Sequence, residues 1–387
     1  MYDWQSQPIR VLSDPRLLPD LVLIRSYIYK EGDKMAATMQ GLQWNATADK
    51  LSLIELDKPK AGSGEVVIKV AYAGVCGTDL HIIAKEFAAA EKVILGHEFA
   101  GVITEVGEGV KDFQLGDRVC VDPNKGCAGC RYCASGTPNY CSTGLTTYTV
   151  GLRKNGGFAN YCVVPTEQVY RLPEELTLQH GALCEPLSCL MRGWDNLGSP
   201  PADSRILVLG AGIIGVLWSS IFHYKGYRDV TVSEPADGRR KLIGELELGY
   251  KAVHPDELKS RFDGADVEDV GYDVIVDCSG FPPAIEQAFN WLRSGATFLQ
   301  FGCCPSNSKI TINPFMIYQK ELKIIGCLIN PFTMPKAVGG LARGMAGSYL
   351  KDFSRLGIKM FRLQEYQEAI AQLKKGEISK AMFEFEN

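Results

Sequence analysis

The stretch Ile206-Leu207-Val208-Leu209-Gly210-Ala211-Gly212-Ile213-Ile214-Gly215 decides the fold. Four consecutive apolar residues read as a buried strand, and three glycines spaced G-x-G-x-x-G then open a helix. The glycine pattern alone is weak evidence; the strand before it and the helix after it supply the context that a dinucleotide turn needs. Gly210 permits the tight turn, Gly212 lets the backbone approach a pyrophosphate, and Gly215 lets the helix pack close to the strand. The helix N-terminus, at Ile213 and Ile214, offers N–H groups and positive potential to the phosphates.

Nineteen residues beyond Gly215 stands Glu234, at the end of the next apolar run, Val230-Thr231-Val232. A carboxylate there accepts hydrogen bonds from both ribose hydroxyls and repels a 2′-phosphate, so NAD is expected over NADP. Arg239 and Arg240 follow on the first turn of the next helix. They read as solvated side chains or as a cover for the adenine, with binding of a 2′-phosphate as the competing role.

Further runs at Asp273–Val276 and Thr297–Phe301 alternate with helical stretches, which predicts a parallel sheet with helices on both faces. Upstream the rhythm differs. Glu65–Ala73 alternates in strand fashion, Ala100–Val106 and Arg118–Val121 read as strands, and residues 37–170 are expected to be mostly β. Leu363–Gly376 has a helical period in Tyr366, Ala369, Ile370 and Leu373.

Cys127-x2-Cys130-x2-Cys133-x7-Cys141 lies in a loop rich in Gly, Ser, Thr and Pro. Four thiolates make a closed tetrahedral zinc site, which organises a loop and does no chemistry. An iron–sulfur cluster is the rival, but ferredoxin runs continue with a three-residue gap and Cys-Pro. A second set is spread along the chain: Cys76 in Gly74-Val75-Cys76-Gly77-Thr78-Asp79-Leu80-His81, His97 in Gly96-His97-Glu98-Phe99-Ala100-Gly101, and Glu185 in Cys184-Glu185-Pro186-Leu187-Ser188. One thiolate, one imidazole and one carboxylate leave a fourth zinc position open for a substrate oxygen or water. Each residue alone is more often a core or surface residue; their joint occurrence with the nucleotide motif carries the reading.

These motifs resemble the zinc-containing medium-chain alcohol dehydrogenases, within them the sorbitol, arabinitol and threonine dehydrogenase branch. The likeness rests on the Cys76 and His97 motifs, on Gly116-Asp117-Arg118-Val119, on the four-cysteine spacing, and on Glu185-Pro186-Leu187-Ser188, where a glutamate stands in place of the cysteine of other alcohol dehydrogenases. It runs from about residue 37 to the C-terminus. It implies an α/β protein: a GroES-like β-rich catalytic domain, residues 37–187 and 331–387, around a Rossmann doubly wound parallel sheet, residues 188–330.

The resemblance further implies two zinc ions per chain, and hydride transfer between a polyol or other secondary alcohol and NAD, R₂CHOH + NAD⁺ to R₂C=O + NADH + H⁺. Thr78 would receive the alcohol proton, and His81 would pass it to solvent through the cofactor ribose. Asp79 would orient the site as an outer partner of its ligands. Cys184 beside Glu185 is the competing third ligand, and Glu98 is close enough to His97 to serve as a ligand or catalytic acid in some states. Ile82-Ile83-Ala84-Lys85-Glu86-Phe87 lacks the aromatic pattern associated with sorbitol dehydrogenase, so sorbitol itself is not the expected substrate. A threonine or simple-alcohol dehydrogenase, or a nucleotide-binding protein without activity on the same scaffold, are the rival readings.

The bulk composition sets limits. A chain of 387 residues is too long for one ordinary core and predicts two domains. Its formal charge is −4 and its basic residues are dispersed, which excludes a nucleic-acid footprint. The most apolar stretch, Ile206 to Phe222, is broken by glycines and serines and does not read as a membrane span. An odd number of cysteines, 13, with no secretory signal at the start, points to the cytoplasm. A homodimer or homotetramer is expected. Residues 1–36 read as an extension outside the enzyme fold, unstructured, with Met35 or Met39 as alternative starts.

Overall fold

The computed structural model describes residues 38–342, 353 and 355–386; the extension expected at residues 1–36 lies outside them. Among the described residues eight strands precede the glycine turn: β1 (Thr38–Asn45), β2 (Lys50–Asp57), β3 (Glu65–Gly74), β4 (Lys92–Ile94), β5 (Glu98–Val106), β6 (Arg118–Val121), β7 (Tyr161–Pro165) and β8 (Val169–Arg171). Six follow in the nucleotide region: β9 (Ile206–Leu209), β10 (Val230–Ser233), β11 (Lys251–Val253), β12 (Tyr272–Asp277), β13 (Leu292–Gln300) and β14 (Lys323–Gly326). The last two are β15 (Ile358–Phe361) and β16 (Lys380–Glu384).

The first half is mostly β, as its sequence predicts, but its strands divide between two sheets. β2, β1 and β4 form a small antiparallel sheet. The larger sheet runs β15-β16-β3-β5-β6-β8, with β7 also paired to β3. The strand expected at Glu65–Ala73 forms as β3, in which Val66, Val67 and Ile68 are all fully buried. β3 is a central strand, with β5 along one edge and β16 and β7 along the other, and the burial of consecutive residues shows that both of its faces are covered. The C-terminal strands β15 and β16 return to this sheet, next to β3.

The second sheet is all parallel, in the order β11-β10-β9-β12-β13-β14. The fold is thus a GroES-like β-rich domain joined to a Rossmann-type doubly wound sheet. β9 is buried at every position because helices cover both faces of the sheet. The strand order reverses between β9 and β12, and ligands of such sheets bind in the crevice beyond the strand ends at that point. The helix expected at 363–376 is Tyr366–Lys375, closed by Gly376 in the left-handed conformation (φ +71°). Among the described residues no helix is long and apolar enough to cross a membrane.

Candidate metal centre and dinucleotide turn

Sheet register brings the first metal set together. β3 and β5 pair antiparallel with Gly74 opposite Glu98, so Cys76, just past the end of β3, meets His97, just before β5. Donor atoms of Cys76, His97 and Glu98 lie within 4.8 Å of one another. The buried Asp79 carboxylate accepts a hydrogen bond from the Cys76 amide (2.9 Å) and faces His97 Nδ1 at 3.6 Å. Asp79 Oδ1 and His97 Nδ1 are buried without a hydrogen-bond partner. A half-buried thiol beside a buried imidazole and carboxylate, with unsatisfied polar atoms, is a set that a cation completes, so these residues fit a zinc ion. Burial disfavours a charge on His97, but Asp79 and Cys76 outweigh it and hold the imidazole well above its ordinary pKa.

Glu185 and Cys184 are neighbours with different surroundings. Glu185 opens the helix Cys184–Leu197 and is buried. Burial raises its carboxyl to about 7; the nearby His97 charge works the other way, while Glu98 and Asp122 add to the rise. Glu185 is thus near enough to His97 and Glu98 to feel their charges, but it is not among the donors within 4.8 Å of one another. The Cys184 thiol instead bonds the His180 carbonyl oxygen (3.6 Å) and neighbours Cys120 in the apolar core.

Sequence reasoning missed Lys380. It is fully buried, forms an ion pair with Glu98 Oε2, and donates to the Val75 carbonyl (3.2 Å). Burial would strip its charge, yet Glu98 and Cys76 raise its pKa. Gly74 makes room for the pair: a Cβ there would stand 2.5 Å from both Glu98 Oε2 and Lys380 Cε. Removing one member of such a pair costs on the order of 3–5 kcal/mol, because the other charge is left buried alone. A lysine inside the apolar run Ala381-Met382-Phe383 and its approach was the available signal.

Thr78 lies on the helix Gly77–Ile83, with its hydroxyl 3.7 Å from the Cys76 sulfur. His81, about a quarter exposed, is one turn further on, and its Nδ1 meets Glu86 Oε2 at 2.6 Å. Glu86 was not singled out from the sequence.

The four cysteines 127, 130, 133 and 141 converge, their sulfurs within 4.8 Å of one another. The amides of Cys127 and Gly144 donate to the Cys141 sulfur and lower its pKa. N–H donors favour the thiolate, the form that binds a metal, so this lobe also fits zinc. None of the thirteen cysteines is in a disulfide.

At the glycine turn, Gly210 has φ +96°, and a Cβ on Gly215 would collide with the Gly210 carbonyl oxygen. The helix Ile213–Tyr224 starts from Gly212 as N-cap. The Ile213 amide donates to the Ser379 carbonyl (3.2 Å), so the segment leading into β16 closes over this turn. Glu234 is buried, and its two oxygens accept the amides of Ala211 (2.8 Å) and Ala236 (2.9 Å). Each carboxylate oxygen retains a second lone pair for a ribose hydroxyl. Arg239 and Arg240 are not simply solvated. Arg239 reaches the carbonyls of Leu373 and Ile378, and Arg240 folds back onto those of Glu234 and Pro235 and onto Asp237. Both guanidiniums find main-chain acceptors left by the helix and strand ends beside them.

Two family models match the chain: an alcohol dehydrogenase GroES-like domain over residues 62–174 and a zinc-binding dehydrogenase domain over 214–342. An L-threonine 3-dehydrogenase of Thermococcus kodakarensis is 33% identical over 76% of this chain and 83% of its own length. A D-arabinitol dehydrogenase 1 of Uromyces fabae is 29% identical over 88% of this chain and 95% of the relative. A putative zinc-binding dehydrogenase of Sinorhizobium meliloti, solved bound to NADP, superposes with a TM-score of 0.78 at 30% identity, over 90% of this chain and 99% of that one. The chain belongs to the zinc-binding alcohol dehydrogenase family.

Within this family member, Asn330 is a further residue the sequence did not reveal. It is fully buried just past β14. Its Nδ2 donates to Asp122 Oδ1 (3.1 Å) and Ser188 Oγ (2.7 Å), and its Oδ1 accepts from Asn124 Nδ2 (2.8 Å). Asn330 so ties the end of the nucleotide sheet to the entry of the cysteine lobe and to the helix carrying Glu185. A cavity of about 310 Å³ lies between that lobe and the turn at 329–332.

Burial raises the Asp122 carboxyl to about 6, against lowering by the Asn124 amide and by Asn330. The unfolded chain therefore ionises first as pH rises, and stability falls between the unfolded and folded values. Asp122→Asn keeps an acceptor oxygen and abolishes this penalty. Its stability advantage over the parent should grow by ~1 kcal/mol or more between pH 5 and 8 in urea melts. A constant difference across that range would contradict the assignment.

Proposed function

We propose that this protein is a zinc-dependent dehydrogenase that moves a hydride between a polyol, at a secondary alcohol, and NAD, and back from the ketose. The observation that carries this reading is that the Cys76 and His97 donors converge and the buried Glu185 carboxyl lies within reach of the His97 charge, while the neighbouring Cys184 thiol is turned into the core. Glutamate in that position, with an arabinitol dehydrogenase among the relatives, favours a polyol.

The same reading divides the labour. Residues 37–187 and 331–387 do the chemistry, and 188–330 bind the dinucleotide. Cys76, His97 and Glu185 would hold the catalytic zinc, with Glu98 held back by Lys380. Cys127, Cys130, Cys133 and Cys141 would hold a second zinc. When bound, the catalytic zinc makes the hydroxyl of the bound alcohol more acidic.

Thr78 Oγ1 would take the hydroxyl proton and His81 would release it to solvent; the Thr78 hydroxyl beside the Cys76 sulfur and the Glu86 carboxylate on the His81 ring support this relay. Asp79 pins the Cys76 amide and orients His97. Gly210, Gly212, Gly215 and the helix start at Ile213 and Ile214 would receive the pyrophosphate, which requires the Ser379 carbonyl to release the Ile213 amide. Glu234 favours NAD by accepting ribose hydroxyls; Arg239 at the edge of the turn steadies the cofactor. The free thiols agree with a reducing cytoplasmic setting.

Two or four copies are expected to associate. β14 is a sheet edge, and Phe315, Tyr318 and Phe332 on the segments flanking it are exposed.

A substrate panel tests the function. C4 to C6 polyols, threonine and short alcohols are supplied with NAD⁺ or NADP⁺, and reduced cofactor is read by absorbance. The highest kcat/KM should fall on a polyol with NAD⁺. Threonine as the best substrate would favour the second reading, which the 33% identical threonine dehydrogenase supports. Zinc-loaded protein inert towards the whole panel would favour a nucleotide-binding protein without activity.

A further inference from the structure

The helix Cys184–Leu197 carries Glu185 on its first turn and Cys189 one turn later, on the same face. The Cys189 thiol donates a hydrogen bond to Glu185 Oε1 at 3.5 Å. The backbone of Glu185 is fixed separately: Ser188 Oγ donates to its carbonyl at 2.6 Å, and Asn330 in turn donates to Ser188 Oγ. Cys189 is itself braced, since the Cys327 thiol bonds its carbonyl oxygen at 3.8 Å.

A carboxylate presents two oxygens and turns freely about its last bond unless something holds it. A donor on one oxygen leaves the other to point at a cation. A thiol suits this task because its S–H is a weak donor. It can orient the group while drawing off little of the charge that a metal needs.

We propose that Cys189 is a positioning residue for the catalytic metal: its thiol holds Oε1 of Glu185, so that Oε2 is the oxygen turned to the Cys76–His97 pair. The proposal rests on the reading of Glu185 as a ligand. Outer partners of metal ligands fix geometry in this way, and losing one weakens metal binding by about 10–100-fold.

The test uses full-length, zinc-loaded enzyme and four variants: Cys189→Val, Cys189→Ser, Glu185→Ala and the double variant Glu185→Ala with Cys189→Val. Zinc affinity at the labile site is measured by competition with a chromogenic chelator, with kcat and the KM for NAD⁺ alongside. Cys189→Val should weaken zinc by about tenfold or more and lower kcat, with the KM for NAD⁺ unchanged. Cys189→Ser keeps a donor and should restore the parent affinity. In the Glu185→Ala background, Cys189→Val should cause no further loss, because its partner is gone. Should the valine variant not fold, Cys189→Ala takes its place in the same comparison.

Parent-like zinc affinity in Cys189→Val, with Glu185→Ala strongly weakened, would overturn the proposal and leave Glu185 as ligand. An equal loss from Cys189→Val with or without Glu185 would also overturn it, by reducing Cys189 to a packing role. Undiminished zinc in Glu185→Ala would overturn the ligand reading and the proposal together.

Discussion

Glu185→Ala is expected to weaken zinc binding at the labile site strongly and to lower kcat/KM by about 100-fold or more, an effect at least as large as losing an outer partner of a ligand. Cys184→Ser should keep both zinc and activity. The contrast follows from the different surroundings of the two side chains. Glu185 is buried within reach of the His97 and Glu98 charges, and a carboxylate buried without a counter-charge is costly. Cys184 lies among Cys120, Leu183 and Leu187, with its thiol on the His180 carbonyl oxygen. A serine there adds a hydroxyl to an apolar site, which costs roughly 1–3 kcal/mol of stability but touches no metal. Elemental analysis and one kinetic assay on each variant decide it. Loss of zinc in Cys184→Ser with Glu185→Ala nearly normal would place this chain with the cysteine-ligated dehydrogenases and remove the main ground for a polyol.

The second large effect concerns the four-cysteine lobe. Cys141→Ser should release one zinc per chain, lower the melting temperature and open residues 124–150 to proteases, while the Cys76–His97 site keeps its metal. Structural zinc contributes on the order of 10 kcal/mol to small domains that depend on it. Cys141 is the buried member of the set and the one that receives two main-chain amides, so no water can replace it easily. Its loss should also be felt across the molecule. Asp122 and Asn124, at the entry to the lobe, bond Asn330 beyond the nucleotide sheet. An unaltered melt with full zinc content in Cys141→Ser would mean that the four sulfurs converge without holding a metal.

What the sequence made legible was local. The glycine turn declares itself because a positive φ at Gly210 and a blocked Cβ at Gly215 leave no other residue that fits. The cysteine lobe declares itself because four sulfurs within fifteen positions must meet whatever the rest of the chain does. The contacts that were missed join distant segments. Lys380 reaches Glu98 only because β16 pairs with β3, and Asn330 reaches Asp122 across 208 positions. Side-chain period shows that a strand exists but not which strand it pairs with. For the same reason the first half read as β without dividing into two sheets. Arg239 and Arg240 read as solvated or as a cover for the adenine because the carbonyls that hold them, at 373 and 378 and at 234 and 235, are main-chain groups with no signature in the sequence.

The most direct test of a zinc-dependent hydride transfer is to follow NADH formation while one metal is removed and restored. The best alcohol of the panel is assayed as a chelator strips the zinc of the Cys76–His97 site, whose open position makes it the labile one, with zinc per chain measured on the same samples. Activity should fall in proportion to the loss of one zinc, return on adding Zn²⁺, and leave the Cys127–Cys141 lobe loaded throughout. Undiminished NADH formation after that zinc has gone would contradict the account.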